Sequence, residues 1–338
     1  MAKKIYDWEN GATLEEHTKK KHSILQEYFR QYLITRCQLP QQEKFRLAIV
    51  DGFSGAGLYK CGSYGSPLIF VDVLTKTANE INFRRANQGM RPIQIECLLI
   101  VNDENKSTIE QLRKNIAPLL IAAKNENQNI FIEVEYLNGE FETLYPQIKQ
   151  RLLSAKCGNV LFNLDQCGYS KVHSNTIRDI VSSWRSAEVL LTFMIESMLA
   201  YLSPNKNASR VPLELEMRQK IDSLLTNSDE LLGKPEWLGE AEKIAYFHLK
   251  GCATYVSPFS INNPAGWRYW FMHFANSYRA RQVYNDVLHS DDASQAHFGR
   301  PGLNMLSYDP QNDGQLYLFN ADTRQLAKEA LYDDIPRF

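Results

Sequence analysis

A chain of 338 residues with 38 Lys and Arg against 39 Asp and Glu carries a formal charge of -1. That balance excludes a protein held on polynucleotide by bulk basicity and leaves only a local basic groove for such a role. The length fits about two domains, or one large α/β domain with insertions, and 44% hydrophobic with 23% charged residues excludes extensive disorder.

No run approaches the roughly 20 apolar residues needed to span a bilayer, and the opening MAKKIYDWENGATLEEH has no apolar core. A cytoplasmic protein with no membrane partner is the expectation. The six cysteines (Cys37, Cys61, Cys97, Cys157, Cys167, Cys252) form no CxxC pair and read as buried free thiols in a reducing compartment. The seven histidines form neither HxH nor HExxH, so no metal site is expected.

From Leu14 to Leu33, residues Ile24, Leu25, Tyr28, Phe29 and Tyr32 recur at three- and four-residue steps and predict a helix that Pro40 ends. Phe45 to Asp51 (FRLAIVD) is a short apolar strand running into the Gly-rich GFSGAGLYKCGSYGSP. A helix from about Pro67, a strand at Ile95 to Val101, a helix near Thr108 to Leu120 and a strand at Ile130 to Val134 follow. The pattern continues with a helix at Phe141 to Leu153 and strands at Asn159 to Leu164 and Ala187 to Phe193. Repeated strand, polar carboxyl end and helix predict a mostly parallel sheet with helices on both faces.

The texture from Ala200 to about Glu240 is helical and broken, as in an insertion or lid. Gly251 to Phe259 and Tyr269 to Phe274 read as a late antiparallel pair, with Ser277 to Leu288 as a helix after it. The expected division is an N-terminal helical segment (1–44), an α/β core (45–199), a helical insertion (200–250), late strands and helix completing the core (251–290) and a C-terminal extension (291–338).

In Asp51-Gly52-Phe53-Ser54-Gly55-Ala56-Gly57, Gly55 and Gly57 allow a tight turn and close approach of a ligand. The third glycine of a dinucleotide fingerprint is replaced by Lys60, the GK-[ST] of a P-loop is absent, and an acid before the glycines would repel a pyrophosphate. An acid there suits S-adenosylmethionine, which carries an ammonium, a sulfonium and two ribose hydroxyls. Asp51, Phe53, Gly55 and Gly57, with Asp103 or Glu104 after the second strand, are the cofactor-binding candidates.

The fourth strand delivers Asp165, followed by Gln166, Cys167, Gly168 and Tyr169, to the edge that faces the ligand crevice of a doubly wound fold. Asp165 would orient an acceptor amino group and Tyr169 would offer a flat surface to its ring, so these two are the catalytic candidates. Cys167 opens the alternative of thiolate addition to a pyrimidine before methylation at carbon. Trp267, Arg268, Tyr269, Trp270, Tyr278, Arg279 and Arg281 mix flat and cationic groups that either stack on bases or belong to the core. His17, Thr18, Lys19 and His22 either close over the cofactor, contact phosphates or form a solvated helix face.

The runs HTKKKHSILQEYFRQYL, VDGFSGAGLYKCGSYGSPL, VLFNLDQCGY, SSWRSAEVLLTFM and WRYWFMHFANSYRARQVYNDVL, in that order, resemble the three-Cys-motif partner proteins, a bacterial family with a class I methyltransferase-like core. The resemblance covers most of Leu14 to Leu288 and implies a Rossmann-like class I methyltransferase fold with a helical insertion. It also implies association with a separate three-Cys-motif protein that resembles radical adenosylmethionine enzymes. Where that family has aspartate, proline, an aromatic and glycine after the fourth strand, this chain has Asp165, Gln166, Cys167 and Gly168. The expected activity is methyl transfer from S-adenosylmethionine to an amino group of a DNA or RNA base. The alternatives are a non-catalytic accessory partner and the Cys167-dependent pyrimidine C5 methyltransferase.

Overall fold

The computed structural model describes residues 8, 11–202, 212–227, 234–262 and 268–290. Trp267, the two extension runs HFGRPGLNML and GQLYLFN and the whole 291–338 extension lie outside the described residues.

Apolar runs too short for helices pair as a seven-stranded sheet. Its strands are β1 (Lys44–Asp51), β2 (Gln94–Asp103), β3 (Ile130–Asn138), β4 (Asn159–Leu164), β5 (Ser186–Phe193), β6 (Tyr255–Asn262) and β7 (Arg268–Ala275). The order is β3-β2-β1-β4-β5-β7-β6. β1 to β5 run parallel, whereas β7 is antiparallel to both β5 and β6.

In β1, Leu47 and Ile49 enter one core and Ala48 and Val50 the other, because successive side chains leave opposite faces and both faces are covered. The first core is covered by α1 (Glu16–Arg36), α2 (Ser66–Asn87), α3 (Lys106–Glu126) and α9 (Tyr278–Ser290). The second is covered by α4 (Phe141–Ser154), α5 (Ser174–Ser183), α6 (Ile195–Tyr201), α7 (Leu215–Asn227) and α8 (Lys234–Lys250). This is a Rossmann-like α/β fold, a mostly parallel sheet flanked by helices, with a helical insertion.

Three departures from expectation have local causes. α3 starts at Lys106, because the Asn105 side chain accepts the Ser107 N–H as an N-cap, and it continues past Pro118 to Glu126. β3 runs on to Asn138 as a half-exposed edge strand, so its last residues lack the apolar run that marks a buried one. α5 and α6 are absent from the elements expected above. α5 buries only Ile177, Ile180 and Val181 among its large apolar side chains, too few to announce a helix. Of the cysteines, Cys61 and Cys167 are exposed, contrary to the all-buried expectation.

Candidate functional site

The strand order reverses between β1 and β4, and their carboxyl ends flank the crevice where doubly wound sheets take ligands. Asp51 closes β1 beside Asn163 of β4, in register with it, and its Oδ1 accepts a hydrogen bond from Asn163 Nδ2 at 3.3 Å. The side chain is wholly buried and Oδ2 has no hydrogen-bond partner. Burial pushes the carboxyl up to about 7, helped by the charge of Asp165 and opposed by the Ser66 hydroxyl and Asn163 amide beside it.

The loop beyond Asp51 is tied to both neighbouring strands. Gly52 N–H donates to Asn163 O at 3.0 Å, and Ser54 N–H to Asn102 O at 2.9 Å. Gly55 and Gly57 have φ of +59° and +77°, the left-handed region that favours glycine. A Cβ on Gly57 would stand 2.4 Å from a Leu68 methyl of α2 and 2.6 Å from a Leu112 methyl of α3, so a side chain there would have to displace both leucines as well as adopt the left-handed φ. A Cβ on Gly55 would stand 2.5 Å from the Trp8 indole, which rests on the loop. Half-buried Phe53 packs toward Phe141, with ring centroids 5.8 Å apart.

At the end of β2, Asn102 donates to Gly52 O at 3.1 Å and Gly139 O at 3.0 Å, while its own side-chain oxygen is buried without a partner. Asp103 accepts the Gly55 N–H at 3.2 Å and the Asn105 N–H at 2.9 Å. Burial raises its carboxyl above the ordinary range. Of the pair left open by the sequence, Asp103 therefore joins the glycine loop, whereas Glu104 pairs with Lys171 and leaves half its side chain in solvent.

Beyond β4, both Asp165 oxygens accept hydrogen bonds from Lys21 Nζ of α1, at 2.5 and 2.7 Å. Burial would raise the Asp165 carboxyl, but the Lys21 ammonium outweighs it and holds the group below its usual range. The pair is partly enclosed, with the Lys21 side chain 10% and that of Asp165 27% exposed. His22 is buried next to it, 5.8 Å from the Tyr59 ring. Burial and the Lys21 charge push the His22 imidazole down to about 4, so it is neutral at pH 7.

Gln166 is buried, and its side-chain oxygen accepts the N–H groups of Lys171 and Val172 at 2.9 and 3.2 Å, which fixes the loop carrying Tyr169. Its amide nitrogen has no partner. Half-buried Tyr169 meets Phe193, the last residue of β5, edge-on at 6.2 Å.

Of the mixed aromatic and cationic residues late in the chain, those of β7 turn inward, whereas Tyr278, Arg279 and Arg281 of α9 are exposed. Trp270 is fully buried, Tyr269 stacks on His17 at 4.7 Å, and Arg268 is paired with Glu196 and Glu242. Sequence reasoning missed a buried group to the β5–β7 side of the crevice, where Tyr28 of α1 meets Glu188 of β5 and His273 of β7. Arg36 reaches the other Glu188 oxygen at 3.0 Å. This group anchors α1 across the sheet, and Lys21 extends the same helix to Asp165. Lys21 had a readable signal, since it lies four residues before Leu25 and seven before Tyr28 on the apolar stripe.

No group of three His, Cys, Asp or Glu among the described residues is placed to hold a metal ion. No helix among them is long and apolar enough to cross a membrane.

No protein-family model matches the chain. No curated protein matches it either. Among solved structures it is similar to a spermidine synthase bound to the transition-state analogue AdoDATO, at 10% identity and TM-score 0.34, over 94% of this chain and 75% of that one. It is also similar to the spermidine synthase of Thermotoga maritima, at 9% identity and TM-score 0.29, over 90% and 74%. A third similar structure is a Klebsiella pneumoniae protein assigned as an O-methyltransferase, at 10% identity and TM-score 0.31, over 73% and 80%. The fold assignment rests on the strand order and on the antiparallel β7.

Proposed function

We propose that this chain is an S-adenosylmethionine-dependent methyltransferase with its cofactor along the loop after β1. The observation that carries the reading is the fully buried Asp51 carboxyl at the carboxyl end of β1, which has the Ser66 hydroxyl and Asn163 amide beside it but no hydrogen bond of good geometry to Oδ2. A buried acceptor left without a donor costs about 1–3 kcal/mol, and a cofactor ammonium or hydroxyl is a donor that would relieve it. The unpartnered side-chain oxygen of Asn102 is a second acceptor at the same edge.

In this reading Asp51 takes the cationic end of the cofactor, Asp103 holds the loop at Gly55 and faces the ribose hydroxyls, and Phe53 supplies an apolar wall. Bound there, the cofactor supplies a methyl group on a sulfonium, an electrophile that needs alignment more than acid–base help. Asp165 and Tyr169 stand beyond β4, where they would orient the amino group and ring of an acceptor such as a DNA or RNA base.

The Lys21 ammonium on both Asp165 oxygens favours a second reading. The ion pair takes one acceptor position on each Asp165 oxygen and leaves fewer for an amine, which suits a non-catalytic partner of a three-Cys-motif protein. Methyl-labelled cofactor incubated with the protein and fractionated DNA, RNA and protein separates the two. Label transferred to one acceptor class supports the enzyme; cofactor binding by calorimetry with no transfer supports the accessory role.

A further inference from the structure

A cavity of about 160 Å³ opens between the loop after β4 and the helical insertion. Its walls include Val172, Phe193, Leu213, Met217 and Leu249, with Tyr169 alongside. The space is comparable to that of an apolar cavity that takes up one benzene ring.

Charge narrows the occupant further. Among the described residues that line the cavity there is no Lys or Arg, and the one imidazole, His173, stands against the Glu142 carboxylate, so no permanent cation there would neutralise a phosphate. The one carboxylate, Glu214, is already engaged: it accepts the Ser174 N–H at 2.7 Å and the Ser174 hydroxyl at 2.5 Å, and His248 Nε2 lies 3.2 Å away. These contacts tie the start of the insertion to the N-terminus of α5 and so hold Leu213 and Met217 in place as a fixed wall. An apolar slot with an aromatic edge and no uncompensated charge favours a flat, neutral ring.

We propose that this cavity binds a single uncharged aromatic or heteroaromatic ring, and that it is the acceptor subsite, an assignment that rests on the methyltransferase reading. The acceptor is then a compound that presents a small neutral ring to the cavity, and any phosphate it carries stays outside.

The test uses the full chain with indole, phenol, cytosine and cytidine 5′-monophosphate as probes. Binding is followed in the methyl spectrum of 13C-methyl-methionine protein, where the Met217 signal is identified by its loss in Met217→Leu. Indole and phenol are expected to shift the Met217 signal saturably, and cytidine 5′-monophosphate is expected to bind no more tightly than cytosine. Leu213→Trp fills the slot and should weaken indole at least tenfold while leaving S-adenosylmethionine affinity within twofold. Leu213→Ala, which enlarges the slot, should retain indole binding and serves if the tryptophan variant does not fold.

Failure of both rings to move Met217, indole binding unchanged in a folded L213W, or tenfold tighter binding of the monophosphate each overturns the proposal. Ring binding without cofactor binding would remove the acceptor assignment and the methyltransferase reading together, but leave the cavity as a ring site. Cofactor binding without ring binding would remove the ring site and its acceptor assignment and leave the methyltransferase reading standing.

Discussion

Replacing Asp51 by Asn should make the protein more stable at pH 8 and less stable at pH 4. Burial moves the Asp51 carboxyl from its ordinary 3.8 to about 7. A raised carboxyl means the folded chain holds a proton that the unfolded chain has already released. Below pH 4 both states are protonated and there is no penalty. Between pH 4 and 7 the penalty grows, and above pH 7 it is constant at about 4 kcal/mol. The substituted amide would keep the acceptor for Asn163 but place an NH2 where Oδ2 has no partner, a loss of about 1–3 kcal/mol at every pH. Asp51→Asn should therefore be about 1–3 kcal/mol less stable than the parent at pH 4 and about as much more stable at pH 8. Urea unfolding of both proteins at several pH values measures the difference, in which all other titrating groups cancel to first order. A difference that stays flat from pH 4 to pH 8 would refute the assignment of Asp51 as a buried carboxyl poised near neutrality.

Lys21→Met should destabilise the chain by about 1–3 kcal/mol, less than for a fully enclosed pair because Asp165 is partly open to solvent. The double variant K21M/D165N should recover most of that loss in urea unfolding, and no recovery would show that Lys21 acts through something other than Asp165. Glu214 is depressed to about 2, with burial outweighed by His248 and Ser174. Its contribution is therefore fully present above pH 4.5 and lost as pH falls toward 2. Glu214→Gln should speed hydrogen exchange at the Ser174 amide and through α7 and α8 at pH 7 while β1 stays protected; uniform acceleration across the sheet would contradict a local clasp.

The strands were legible because a doubly covered sheet needs apolar side chains on both faces, and runs such as Phe45 to Val50 and Val160 to Leu164 state that directly. The chain also placed Asp51 and Asp165 at the ends of such runs, where the strand order brings them to one crevice. Their partners were harder to read. Lys21 meets Asp165 across 144 residues, and Tyr28 meets Glu188 across 160, separations that no local period encodes. Glu188 and His273 sit inside otherwise apolar strands, and burial there is tolerable because they meet each other and Tyr28, with Arg36 on the second Glu188 oxygen. The sequence pattern offers Gly57 as room for a ligand, yet the contacts a side chain would meet there come from Leu68 and Leu112, which only the packing of two helices reveals.

We propose that the crevice at the carboxyl ends of β1 and β2 takes S-adenosylmethionine through Asp51. Isothermal titration of the full chain with S-adenosylmethionine at pH 8, where Asp51 is ionised, tests it most directly. The account predicts one saturable site that weakens by about tenfold or more in Asp51→Asn, the loss of a charged hydrogen bond, and that also weakens in the parent as pH falls below 7. No saturable binding, or equal affinity in a folded D51N across that pH range, would contradict it.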